Sequence, residues 1–128
     1  MTLLPRLHRF APTIPVTDIA RSTAFYELAL GMTTVFENGD PPRLAILERD
    51  GLELHLLWEP GHTPAEHNLC HLLVDDAALL YAHLEAHDVQ IVKGIRDADY
   101  EMRTFVFADP DGNRIDVGSY LEEANGAG

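Results

Sequence analysis

Three short stretches of this chain place ionisable side chains on strand-like alternation. In residues 52–58 (LELHLLW), Glu53, His55 and Leu57 take one face, and Leu52, Leu54, Leu56 and Trp58 take the other. In residues 69–74 (LCHLLV), Leu69, His71 and Leu73 oppose Cys70, Leu72 and Val74. In residues 103–118 (RTFVFADPDGNRIDVG), Arg114 and Asp116 oppose Ile115 and Val117. Two imidazoles and two carboxylates, Glu53, His55, His71 and Asp116, are side chains that hold Zn, Ni, Mn or Fe, or that move protons. They also suit a second role as polar wall residues, with His55 and His71 satisfied by Glu53, Asp116 and water. Four further histidines, His62 and His67 in a loop and His83 and His87 on a helix, are expected at the surface.

The elements that would carry these groups follow from local signals. Residues 10–16 (FAPTIPV) read as a first strand, with Ala11 and Thr13 on the face opposite Ile14 and Val16. Asp18 suits the N-cap of a helix over 19–30, and Gly31 falls where a left-handed C-terminal residue is wanted. Ile19, Phe25, Leu28 and Ala29 form its expected buried stripe. Strands are expected over 32–37 and 43–48, separated by a loop at 38–42. Asp50-Gly51 is a hairpin turn into 52–58. Residues 59–68 (EPGHTPAEHN) read as a linker. A strand over 69–74, a helix over 77–87 capped by Asp75 or Asp76, a short strand at 89–92 and a polar loop at 94–101 follow. The last element is a hairpin turning at Asp109-Pro110-Asp111-Gly112. Residues 122–128 have little to bury and are expected to be disordered.

The halves repeat. Val16-Thr17-Asp18 opens the first helix as Val74-Asp75-Asp76 opens the second, and Asp50-Gly51 and Asp111-Gly112 both turn into a last strand. Each half reads strand, helix, strand, strand, strand, and is too small to bury its sheet face alone. The expectation is one domain over 1–128, with module one at about 10–58, the linker at 59–68 and module two at about 69–120.

Composition bounds the function. The chain has 128 residues, 46% of them hydrophobic, and a formal charge of −12. The acidic balance disfavours nucleic acid, which needs a basic face, and suits a cationic ligand. No apolar run reaches the length of a membrane span, and MTLLPRLHRF is a poor signal peptide. With Cys70 as the single cysteine there is no internal disulfide, which is compatible with the cytoplasm.

Four stretches, IPVTDIARSTAFYELALGM, LELHLLWEP, LLVDDAALLYAHL and MRTFVFADPDGNRIDV, resemble the vicinal oxygen chelate superfamily over about residues 10–120. That superfamily includes glyoxalase I, bleomycin and fosfomycin resistance proteins, and extradiol dioxygenases. RSTAFY, ELHLLWEPG and CHLLVDDAALLY look most like the bleomycin resistance proteins. The resemblance implies an α+β fold of two paired βαβββ modules, a cupped mixed β-sheet with helices on its convex side, and a homodimer. The superfamily's four metal-ligand positions fall on Ala11, Glu53, Leu69 and Asp116. Ala11 and Leu69 cannot ligate, and two carboxylates fall short of the roughly three protein ligands of a catalytic metal site.

Two functions follow. The first is a metal-independent protein that sequesters a small cationic, partly aromatic molecule such as an antibiotic. It would act as a cytoplasmic homodimer with no cofactor and no nucleic-acid or membrane partner. Its ligand-binding residues would be Phe36, Glu53, His55, His71, Tyr100, Met102, Arg103 and Asp116. Tyr100-Glu101 stand where many bleomycin resistance-like sequences carry Trp-Gly. Arg103 is expected to pair with Asp116 or Glu101, or to bind an anion. Trp58 is expected in the core, and Cys70, facing the core, is not expected to act as a nucleophile. The second function is a metal-dependent lyase or isomerase, thiol transferase or dioxygenase. It would use a displaced site of Glu53, His55, His71 and Asp116. The sequence leaves open whether the modules pair within or between chains, and whether the first strand is exchanged.

Overall fold

The computed structural model describes residues 3–98 and 101–121. Ten elements follow one another: β1 (Thr13–Val16), α1 (Ile19–Leu30), β2 (Thr33–Gly39), β3 (Pro42–Arg49), β4 (Leu52–Trp58), β5 (Asn68–Leu73), α2 (Ala77–Ala86), β6 (Ile91–Asp97), β7 (Met102–Ala108) and β8 (Arg114–Tyr120). They build two four-stranded sheets, ordered β1-β4-β3-β2 and β5-β8-β7-β6. In each, the first strand pairs parallel with the last, and the other pairings are antiparallel. The repeat read from the sequence is therefore a structural one, an α+β fold of two βαβββ modules.

Local chemistry sets the helix ends. The Asp18 side chain accepts from the Arg21 amide, and Gly31 at φ 66° closes α1 by donating its amide to Glu27. Asp76, of the two candidates, caps α2 by accepting from Leu79. Asp50 and Gly51 both have positive φ, as a tight turn between antiparallel strands requires.

The first strand begins at Thr13 rather than Phe10, and the first hairpin runs further on both sides than expected. The α1 stripe is shifted: Leu28 is exposed, while Tyr26 is fully buried and packs edge-on against Phe25. Trp58 is not a core residue. It stands at the end of β4, where its indole N–H donates to the Thr17 carbonyl and Arg43 lies over its ring. The first half of the expected loop at 94–101, residues 94–97, belongs to β6. The pairing of β6 with β7 breaks register at Ile91/Lys93 and again at Lys93/Arg96. Such bulges destroy the two-residue alternation by which a strand is read.

One hydrophobic cluster joins both modules, including Ile14, Tyr26 and Leu56 from the first and Leu84, Phe107 and Val117 from the second. The turn Asp109-Pro110-Asp111-Gly112-Asn113 locks them together. The buried Asp109 carboxylate accepts from the Tyr26 hydroxyl, the Asp111 and Asn113 amides and the Asn113 side chain. Asn113 also donates to the Pro15 carbonyl. Asp111 accepts from the Thr17 amide and hydroxyl and from Arg21. Burial pushes the Asp111 carboxyl up, but the Thr17 hydrogen bonds and Arg21 together outweigh it and hold the group below its ordinary value. The motif that is most conspicuous in the sequence thus works as a clamp between the modules.

Candidate functional site

In each sheet the helix packs on one face, and alternation delivers the ionisable side chains to the other. On β4, Leu54 and Leu56 are buried, which leaves Glu53, His55 and Leu57 on the open face. Cross-strand partners point the same way. Register therefore aligns Thr13, His55, Ile46 and Phe36 in one row across the first sheet, with Glu48 beside Glu53 in the next. On β8, Ile115 and Val117 are buried and Asp116 stands on the open face. The matching row of the second sheet is His71, Asp116, Val106 and Lys93, and Arg96 lies in the row of Gly118 and Thr104.

The four candidate ligands form two separate pairs. His55 Nε2–H donates to Glu53 Oε1 at 2.8 Å, and the Arg9 guanidinium donates to Glu53 Oε2 at 2.7 Å. The His55 hydrogen bond is the main influence holding the Glu53 carboxyl below its ordinary value; slight desolvation opposes it and Arg9 assists it. In the second module, His71 Nδ1–H donates to Asp116 Oδ2 at 2.7 Å. A cavity of about 460 Å³ opens between the modules, with Glu53 and Ala11 on one wall, His71 and Cys70 on the other, and Tyr26 and Ile115 among its apolar lining. Leu69 stands exposed at a break in the register of β5 with β8. Burial, and next the Asp116 charge, push the Cys70 thiol above its ordinary value, which disfavours the thiolate.

The other expected ligand-binding residues divide. Phe36 is half exposed in the His55 row. Met102 and His71 converge over Gly118, where an added Cβ would stand 2.8 Å from Met102 Cε and 3.1 Å from His71 Cε1. Arg103 lies on the opposite side. Its register partner is Ser119, whose hydroxyl accepts from the Ala77 amide of α2, and its guanidinium pairs with Asp97 at 2.8 Å, not with Asp116. That pairing, opposed by slight desolvation, holds the Asp97 carboxyl below its ordinary value. Tyr100 lies outside the described residues.

Four contributors escaped the sequence reading. Arg9 sits in an arm whose sequence carries no strand pattern. Lys93 and Arg96 lie on the bulged β6. Gly118 carried one usable signal, a glycine inside an apolar strand, which often marks a close approach.

Chemically, a carboxylate holding an imidazole in one tautomer is the arrangement of a general base with its orienting partner. Among the described residues, no three His, Cys, Asp or Glu side chains group as a metal ion requires. Within one chain Glu53 and His55 pair on the first sheet, and His71 and Asp116 pair on the second. What the faces offer is hydrogen bonding, charge and aromatic surface.

Comparison with known proteins adds the lineage. The model of the glyoxalase/bleomycin resistance protein/dioxygenase superfamily matches residues 6–117. A bleomycin resistance determinant encoded on the transposon Tn5 superposes with a TM-score of 0.75 at 25% identity, covering 88% of this chain and 97% of that one. A bleomycin-binding protein complexed with bleomycin gives 0.74 at 26% identity, covering 87% and 97%. A lactoylglutathione lyase from Agrobacterium tumefaciens gives 0.71 at 18% identity, covering 91% and 96%, a likeness of fold alone.

Proposed function

Because the chain belongs to the glyoxalase/bleomycin resistance protein/dioxygenase superfamily, we propose that it is a small-molecule binding protein of the bleomycin resistance kind, sequestering its ligand without a catalytic metal. The observation that carries this reading is the division of the site into two imidazole–carboxylate pairs on different sheets, with Ala11 and Leu69 at the remaining superfamily ligand positions. The likeness to a protein complexed with bleomycin supports the same reading.

The ligand is cationic in one part and aromatic in another. Glu48 and Glu53 share the open face of the first sheet with the exposed Phe36 ring. Such a face attracts a cation and stacks on a flat group. The protein acts as a cytoplasmic homodimer, with a second copy closing the open sheet faces around the ligand. The strong acidity of the chain disfavours nucleic acid, and no helix among the described residues is long and apolar enough to cross a bilayer.

The test is calorimetry with bleomycin on protein stripped by a chelator, beside metal analysis after incubation with Ni, Zn, Mn and Fe(II) and desalting. Micromolar or tighter binding, unchanged by chelation, is the expected result. Near-stoichiometric metal that disappears in His55→Ala/His71→Ala would overturn it in favour of the metalloenzyme.

A further inference from the structure

The helix α2 ends in two histidines one turn apart. His83 Nε2–H donates to the Leu28 carbonyl of α1 at 2.8 Å, and His87 Nδ1–H donates to the His83 carbonyl at 2.9 Å. Both carbonyls lie among the last four of their helices, groups that a helix cannot satisfy internally. Capping explains one nitrogen of each ring. In the neutral ring it leaves the other nitrogen of each, His83 Nδ1 and His87 Nε2, as a lone-pair donor.

Those two donors belong to rings whose centres are 4.6 Å apart and whose planes are inclined at 48°. With a metal–nitrogen bond of about 2.0–2.1 Å and a ring nitrogen about 1.1 Å from its ring centre, two imidazoles at right angles around one ion have centres about 4.5 Å apart. The second hydrogen bond matters as much as the spacing. Metal-binding histidines characteristically donate their other N–H to a carbonyl or carboxylate, which fixes tautomer and ring orientation. Here both rings already do so, on carbonyls of two different helices. Both side chains are exposed, so an ion reaches them from solvent.

We propose that His83 and His87 form a two-histidine site for a late divalent transition metal, Ni(II), Cu(II) or Zn(II), on the outer surface of α2. Among the described residues no third His, Cys, Asp or Glu joins them to complete a protein cage, so water fills the remaining positions. Imidazole donors favour these ions, with Cu(II) the tightest. Because His83 is tied to Leu28, the bound ion sits at the contact between the helices of the two modules and stabilises the folded chain by mass action.

The site is independent of the ligand-binding reading and shares no residue with it. The test is titration of the full chain with Ni(II) and Zn(II), read by calorimetry, with Cu(II) electron paramagnetic resonance as a second measurement. Wild type should take up one equivalent and show two equatorial nitrogens. His83→Gln and His87→Gln, each retaining a polar side chain and checked for fold by circular dichroism, should each weaken binding at least roughly tenfold, because losing either donor removes the chelate. His55→Ala/His71→Ala should bind as wild type does. No uptake by wild type, or uptake that His87→Gln leaves unchanged, would overturn the proposal. Uptake lost only in His55→Ala/His71→Ala would put the ion on the open face and overturn the metal-free binding reading as well. Failure of bleomycin to bind would leave this site untouched.

Discussion

Removing the Tyr26 hydroxyl tests whether the Asp109 turn is the clamp between the modules. Tyr26 is fully buried in α1, and its O–H donates to Asp109 Oδ2 at 2.9 Å, 83 residues away in the chain. A hydrogen bond to a charged acceptor is worth about 1.5–3 kcal/mol. Tyr26→Phe keeps the ring against Phe25 and leaves Asp109 with three donors, so the loss should stay within that range. For a chain of this size that is a fall in Tm of about 5–10 °C. Asp109→Ala is a harsher change, since it strips the acceptor from four donors at once. We expect on the order of 4–6 kcal/mol, a large share of the stability of an ordinary domain. Chemical denaturation at fixed protein concentration measures both, and the double variant closes the cycle. The two losses should fall short of adding by at least about 1 kcal/mol, because the Tyr26 bond is already gone in Asp109→Ala. A Tyr26→Phe protein as stable as wild type, or strictly additive losses, would refute the clamp.

Four further outcomes follow from the same geometry. Burial, then the Asp109 charge, hold the Tyr26 phenol well above its ordinary value of 10.0. Its contribution should be complete below pH 10 and decline above it, as the unfolded chain loses the proton first. An alkaline unfolding profile that flattens in Tyr26→Phe is the check. Ser22 is fully buried in α1 and its hydroxyl has no partner among the described residues. Ser22→Ala should therefore raise stability by about 0.5–2 kcal/mol in thermal or urea melts. Gly118→Ala inserts a methyl between Met102 and His71 and should weaken bleomycin binding in calorimetry far more than it lowers Tm. Arg9→Ala frees one oxygen of Glu53 and should tighten binding of a cationic ligand while leaving thermal stability nearly unchanged.

The readable parts of the fold were those decided within a few residues. Asp18, Gly31 and the Asp50-Gly51 turn act through bonds and backbone angles of their own segments, so their residue types announce them. β4 and β8 were readable because one face meets a helix and the other does not, which leaves alternation intact. β6 was not, because its bulges cancel the alternation. The Tyr26 burial was hidden for a different reason. Tyr26 lies at helical spacing from the buried Ile19, Ser22, Thr23 and Ala29, but Ser22 and Thr23 interrupt the apolar pattern, and its hydroxyl partner Asp109 is distant in the chain.

The candidate site was half readable on the same grounds. Alternation put Glu53, His55, His71 and Asp116 on open faces, which each sheet decides alone. Whether they meet depends on how the two sheets sit, and that is set by the turn at 109–113 and by the shared core. The same fact orders the functional argument. Asp109 and Asp111 are consumed in holding the modules together. Of the carboxylates read from the hairpin, that leaves Asp116 on an open face, engaged by His71, while Glu53 is engaged by His55 and Arg9. A ligand with a cationic group meets Glu53 by competing with Arg9, a residue on an exposed arm, whereas a metal ion drawing on all four groups would have to bridge two pairs that lie on different sheets. Displacing one exposed guanidinium is the lesser cost, and this supports the proposal of an organic cation as the ligand.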